Sequence, residues 1–316
     1  FFFKQKTAYE ISTRDWSSDV CSSDLAARQI ESLRNEIRRH DRLYYVEARP
    51  EITDREYDAL VEKLRQLEEK HPDLVTADSP TRRIGDEPVP ELTSVTHRVP
   101  MLSIDNTYSA DDLAAWGRRV EKLLHGDGHA KEPIRWVLEL KIDGVAVSLT
   151  FAHGLLALAA TRGNGVVGDD ITHNVRTIHG VPLRLELEKP PALVEIRGEV
   201  YMTNSDLVAL NEEQAAKGLA PFANTRNVAA GSIRLLDPRE CAARPLRFLC
   251  HGVGDATGLG ATSQTELLAW AQHAGLPVAP RTKTFDSIDA LVEHGTELIE
   301  ELHALDFEVE IGRAHV

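Results

Sequence analysis

The chain has 316 residues, a formal net charge of -14, and hydrophobic and charged fractions of 42% and 27%, the balance of an ordinary folded protein of about two domains. It has no apolar run of the ~18 residues that a membrane span needs. Its acidity leaves nucleic-acid contact to a local basic patch or to segments outside this sequence. Cys21, Cys241 and Cys250 show no C-x-x-C spacing, which argues against a zinc site and a disulfide scaffold and fits a reducing cytoplasm.

In chain order, residues 1–25 open on Phe1-Phe2-Phe3 without a methionine and show no sustained helical or strand period. They lack the basic start and apolar core of a secretory signal. They look like translated sequencing-adaptor sequence, as does the tail 310–316, and both are expected to be non-native. Residues 26–309 are then a fragment of a longer protein.

From Ala26 to Val46 the apolar positions Ile30, Leu33, Ile37 and Tyr44 recur at helical spacing, and Pro50 closes that helix. The next opens at Thr53 with Glu56 three residues on, a capping box. It buries Tyr57, Leu60, Val61, Leu64 and Leu67 and stops before Pro72. Asp54 and Asp58 lie one turn apart, both beside Tyr57. Two acids in a first turn also complement the helix macrodipole, so a binding role and a structural one both stand at this point. Residues 72–106 are proline-rich and polar and read as a linker and an ordered loop; Asp111 to Leu124 is a further amphipathic helix.

Trp136 to Gly144 reads as one strand, with Leu138, Leu140 and Ile142 on one face and Glu139, Lys141 and Asp143 on the other. A lysine held between two carboxylates, directly before a glycine, is either a desolvated nucleophile or a surface charge; Lys-x-Asp-Gly alone does not decide. A hairpin through His153-Gly154 leads to a strand ending in Thr161-Arg162-Gly163, where Arg162 faces a phosphate or solvent. Leu193 to Tyr201 alternates again and sets Glu195, Arg197 and Glu199 on one face, which a cross-strand charge ladder also explains. Helix 204–216 follows, then a loop 221–227 flanked by Arg226 and Arg234. A strand at 248–253 and helices at 266–273 and 288–303 complete the reading.

Taken together, Glu139-Leu140-Lys141-Ile142-Asp143-Gly144 resembles motif I of the covalent nucleotidyltransferases. His97-Arg98-Val99-Pro100-Met101-Leu102-Ser103, Thr161-Arg162-Gly163, Arg197-Gly198-Glu199-Val200 and Asn224-Thr225-Arg226-Asn227 narrow the likeness to the adenylation part of bacterial NAD-dependent DNA ligase. So does the run Ala229-Ala230-Gly231-Ser232 with Arg234. Tyr44-Tyr45, Asp54, Tyr57-Asp58 and Asp78-Ser79-Pro80-Thr81 resemble the helical subdomain found only in the NAD-dependent class. The resemblance runs from about 26 to 309. It implies an α+β fold, with a helical subdomain for nicotinamide mononucleotide (NMN) at 26–88. An adenylation domain of antiparallel sheets and flanking helices at 89–309 (the nucleotidyltransferase core shared by DNA ligases and mRNA-capping enzymes) is expected to be incomplete at its end.

The resemblance further implies that Lys141 attacks NAD to give enzyme–AMP and NMN, the AMP passing to a 5′-phosphate of nicked DNA for sealing in replication and repair. Glu139 would contact adenine, Ser103 and Ile104 would lie along the nucleotide, and Arg162 and Glu199 would contact ribose and phosphate. Asp143 would orient Lys141 or, with Glu199, hold Mg2+. Tyr44, Asp54, Tyr57 and Asp58 would clamp NMN, and Arg226 and Arg234 would meet DNA or phosphate. Tyr45 stands where the family often carries histidine, a change expected to alter affinity rather than mechanism.

The family continues beyond Phe307-Glu308-Val309 into strands bearing two lysines that contact AMP and its phosphate, and then into OB-fold, zinc-finger, helix-hairpin-helix and BRCT parts. Zinc is expected only there. Single electrostatic donors are worth roughly 10²–10³ in rate. The fragment is therefore not expected to seal nicks, though the enzyme is expected to be a cytoplasmic monomer. The alternatives are an inert NAD- or AMP-binding fragment, or an ATP-using RNA ligase or capping enzyme.

Overall fold

The computed structural model describes residues 16–47, 49–83, 89–107, 109–126, 133–255, 259–310 and 313–314. For positions 1–15 the adaptor-like expectation lies outside the described residues. Helix α1 (Trp16–Asp41) begins well before Ala26, and a single π-helical turn carries the chain on through Arg42–Val46. Residues 16–25 contain neither proline nor glycine, so nothing in them stops a helix from growing back toward the start.

Helix α2 (Asp54–Lys70) is set by the capping box: Thr53 Oγ1 accepts from the Glu56 amide at 3.3 Å, and Glu56 Oε2 accepts from the Thr53 amide at 2.8 Å. The two helices close on Ile30, Leu33, Ile37 and Leu64, with Tyr57 and Leu60 packed against them. Inside that small core lies an ion pair, Arg34 with Glu68, each side chain 4% exposed. Ser79 Oγ donates to Glu68 at 2.7 Å and ties the segment after α2 back onto it.

The remainder mixes sheet and helix. Strand β1 (Ser94–Thr96), strand β2 (Asp105–Asn106) and helix α3 (Ala110–Gly126) lead into β3 (Trp136–Leu138) and β4 (Lys141–Ile142). The expected single strand is thus broken at Glu139-Leu140. Its halves take different antiparallel partners, β10 (Lys283–Phe285) for the first and β11 (Val309–Glu310) for the second. Alternation survives the break: Leu140 and Ile142 are buried, with Leu138 packed against the same cluster.

Four long strands form the central antiparallel sheet. They are β5 (Val145–Ala152), β6 (Leu155–Thr161), β8 (Leu193–Tyr201) and β9 (Arg247–Asp255), in the order β6-β5-β8-β9. Short strand β7 (Val167–Asp169) pairs with β1 and leads to the single helical turn α4 (Thr172–Val175). One face of the sheet carries Leu149, Phe151, Ile196 and Phe248 into the main core, against Ile171, Ile178 and Ile233. Alternation puts Ser148, Glu195, Arg197, Glu199 and Leu249 on the other face. There Leu249 and Tyr201 join Leu140, Ile142 and Leu298 in a second core. The two cores bracket the sheet and leave its polar strip beside β4.

Helix α5 (Asn204–Ala216) occupies the span its pattern predicts. Helix α6 (Thr225–Ser232) begins inside the stretch read as a loop, because Asn224 acts as its N-cap and accepts from the Asn227 amide at 2.8 Å. Helix α7 (Pro238–Ala242), helix α8 (Gln264–His273), helix α9 (Ile288–Glu301) and strand β12 (Arg313–Ala314) on β2 complete the described elements.

Helical region and sheet region touch through polar and aromatic contacts. Tyr45 stacks on His179 with ring centroids 5.3 Å apart. Arg42 Nη1 lies 2.5 Å from Glu186 Oε2. Asp78 Oδ2 receives both Arg38 Nη2 at 2.7 Å and Arg184 Nε at 2.5 Å.

Candidate active site

Strand β4 carries Lys141 on the side away from Ile142, and the β11 register sets Glu310 directly opposite it. Lys141 Nζ lies 3.1 Å from Glu310 Oε1. Arg226, on the first turn of α6, brings Nη1 to 3.1 Å from Asp143 Oδ1 and 3.7 Å from Glu310 Oε1. One arginine thus joins the residue two positions beyond the lysine to the carboxylate facing it.

Glu199 projects from β8 into the same cluster. Burial pushes its carboxyl up to about 7, opposed by Lys141, reinforced by Glu310, and opposed again by Arg226 and Arg162. Lys141, Arg162, Glu199 and Arg226, named from separate stretches of sequence, therefore share one electrostatic environment. Gly144 is what lets β4 turn into β5 beside Glu199: a Cβ there would stand 2.3 Å from the Val200 carbonyl oxygen and 2.9 Å from Glu199 Cγ.

Glu139 sits in the break between β3 and β4. Burial pushes its carboxyl above the usual range, and the amide of Gln264, 2.8 Å away, partly offsets that. Ser103 is exposed and Ile104 half-buried on the segment that follows β1. That segment is pinned by Met101 N donating to Gly165 O at 2.8 Å and by Arg197 donating to the Val99 and Pro100 carbonyls at 2.6 and 3.1 Å. His97, buried under it, places Nε2 3.1 Å from Thr161 O and 3.2 Å from Arg162 O, so it braces the backbone that presents Arg162. Arg234 is placed elsewhere, paired with Asp169 at 2.8 Å.

In the helical region Tyr57 donates its hydroxyl to Asp41 Oδ1 at 2.7 Å. Tyr44 is exposed and meets Tyr45 edge-on at 4.7 Å, and Asp58 is exposed. Asp54 is the first residue of α2, and its side chain lies outside the described residues.

Sequence reasoning missed three residues that the geometry brings in. Glu310 was set aside with the tail, although Phe307-Glu308-Val309-Glu310 keeps the period-two alternation of a strand. Asp41 and Gln264 are single polar residues at helix ends, and nothing in their neighbourhood marks them. Among the described residues no group of three or more His, Cys, Asp or Glu is arranged to hold a metal ion. No helix of the described residues is long and apolar enough to cross a membrane.

Two family models match the chain: the NAD-dependent DNA ligase adenylation domain over residues 89–311, and the DNA ligase-like, N-terminal NAD+-binding domain over residues 23–85. Among curated relatives, a DNA ligase of Rhodopirellula baltica is 48% identical over 299 residues, covering 92% of this chain and 42% of that protein. DNA ligases of Geotalea daltonii and Rubrobacter xylanophilus are 46% and 47% identical over 285 residues, each covering 90% of this chain and 42% and 41% of the relative. The chain spans about two fifths of the length of these relatives. With the adenylation model matched across most of its length and its lysine cluster inside that match, the chain belongs to the NAD-dependent DNA ligase adenylation family.

Proposed function

We propose that this chain carries the self-adenylation step of an NAD-dependent DNA ligase, with Lys141 as nucleophile. The observation that supports it is the convergence of Lys141, Arg162, Glu199, Arg226 and Glu310 on the polar side of the sheet, within the stretch matching the adenylation family. The Lys141 nitrogen forms a bond to the adenylyl phosphorus of NAD, the phosphorus–oxygen bond to NMN breaks, and NMN leaves with the electron pair. The amine must first lose a proton; Glu310, read from the sequence as part of a non-native tail but inside the adenylation-family match over 89–311, is the carboxylate 3.1 Å from it. Arg162 and Arg226 supply positive charge where the phosphates gather. Glu139 is read as the adenine contact, and Ser103 and Ile104 as residues along the nucleotide. Tyr44, Asp54, Tyr57 and Asp58 are read as the clamp on the NMN half.

The finer fold assignment, a nucleotidyltransferase core preceded by an NMN-binding subdomain, belongs to the same proposal. So do the boundaries 26–88 and 89–309 and the role of Arg234 toward DNA. Nick sealing on double-stranded DNA, magnesium carried with the phosphates, and a monomeric, cytoplasmic enzyme are properties we propose for the whole ligase.

Incubation of the chain with NAD and magnesium, followed by intact-mass measurement, should give one AMP adduct that Lys141→Ala abolishes and that ATP does not produce. Labelling from ATP but not from NAD would overturn the reading. A second reading, a chain that binds NAD without reacting, draws support from the Glu310 carboxylate seated on the amine. NAD binding without any adduct would favour it.

A further inference from the structure

Gln264 is the first residue of α8, and its position is fixed by the Ser263 cap, whose Oγ accepts from the Glu266 amide at 3.3 Å. Its Nε2 donates to Glu139 Oε1 at 2.8 Å and to the His251 carbonyl of β9 at 2.9 Å. One side-chain amide therefore fastens a helix start, an edge strand and the break between β3 and β4. Both of its N–H bonds are committed, and one is committed to a carboxylate the sequence had singled out for a different reason.

A carboxylate that is ionised only accepts hydrogen bonds, and a protonated one also donates. Burial favours the protonated form of Glu139, and the Gln264 donor favours the ionised form. Cys250, packed in the main core from β9, feels the Glu139 charge only weakly, and burial pushes its thiol up to about 12, so it adds no charge there.

We propose that Gln264 is a positioning residue that sets base selectivity: by holding Glu139 Oε1, it presents Oε2 as an acceptor-only group to a purine bearing an exocyclic amine and rejects one bearing an oxo group there. This rests on reading Glu139 as the base contact. Without the amide, Glu139 takes a proton more readily, and its hydroxyl then donates to an oxo group as well as it formerly accepted from an amine.

The test is calorimetric titration of the chain with NAD and with nicotinamide hypoxanthine dinucleotide, which replaces the amine by an oxo group. Wild type, Gln264→Leu, Gln264→Glu and Glu139→Gln are compared across a pH series. Wild type should prefer NAD. Gln264→Leu should cut that preference about tenfold, the scale of one hydrogen bond to a charged group. It should also move the pH at which preference is lost upward, which a change in folding alone would not do. Gln264→Glu, which sets a like charge beside Glu139, should do the same more strongly. Glu139→Gln, whose oxygen Gln264 holds so that its amide N–H faces the base, should lose the preference for NAD and favour the oxo base at every pH. If Glu139→Gln keeps the preference, or wild type binds neither dinucleotide, the reading of Glu139 fails. If Glu139→Gln loses it while both Gln264 variants retain it in full, or wild type never prefers NAD, the role of Gln264 is overturned.

Discussion

A lysine amine attacks phosphorus only when it has shed its proton, and two carboxylates, Glu310 and Glu199, stand beside Lys141. Glu310 lies 3.1 Å from the amine, and burial pushes the Glu199 carboxyl up to about 7. The sign of that shift gives a measurement. A carboxyl raised in the folded chain binds protons more tightly there than when unfolded, so stability is lost as pH rises from about 4.5 through about 7. In Glu199→Gln that part of the curve of melting temperature against pH should be shallower, the slope from the raised Glu139 carboxyl remaining. A wild-type slope that survives in full in the variant would place the effect on another group. At this scale the sequence was legible where a period announced a face. Lys141, Glu139 and Glu199 each sit on the polar side of an alternating stretch. Glu310 keeps the same alternation but lies at the border of the tail that was set aside, and Gln264 is a lone polar residue at a helix start, without any pattern.

The start of α2 was read because a cap is written in adjacent residues: Thr53 with Glu56 marks it in the sequence as clearly as in the structure, whereas α1, read from Ala26, starts at Trp16. The start of α6 was missed because Asn224 sits in a run that equally suits a turn. The break between β3 and β4 was missed because alternation continues through it and only the partners change. Two predictions belong to elements. Gly144→Ala pushes a Cβ against the Val200 carbonyl beside Glu199. It should cost about 1–3 kcal/mol in chemical denaturation and lower adduct formation by displacing Lys141. Glu68→Ala strands Arg34 inside the α1–α2 core. It should cost roughly 3–5 kcal/mol, read as early loss of helical circular dichroism while the β-rich part melts unchanged.

On the scale of the molecule, the helical and sheet regions meet through contacts whose strength depends on water and salt. The Arg42–Glu186 pair is partly exposed, and such pairs contribute at most ~1 kcal/mol each. Glu186→Lys turns that attraction into repulsion. It should raise the radius of gyration in small-angle scattering at low salt, by an amount that shrinks as salt is added. An unchanged radius would mean that the Tyr45–His179 stack and the Asp78–Arg184 pair hold the regions together without it. None of these cross-region contacts could be read from sequence, since they join residues far apart with no shared period. The pairing of β4 with β11 is of the same long-range kind, and it has a consequence for synthesis. The ribosome releases Lys141 early, whereas the strand that frames it emerges only near the end of this stretch. Until then the amine lacks the Glu310 counter-ion and the strand paired with it in register, so a nascent chain holds Lys141 in an unassembled setting. Reactivity toward an amine-labelling reagent should therefore fall sharply once the nascent chain is long enough for that late strand to dock.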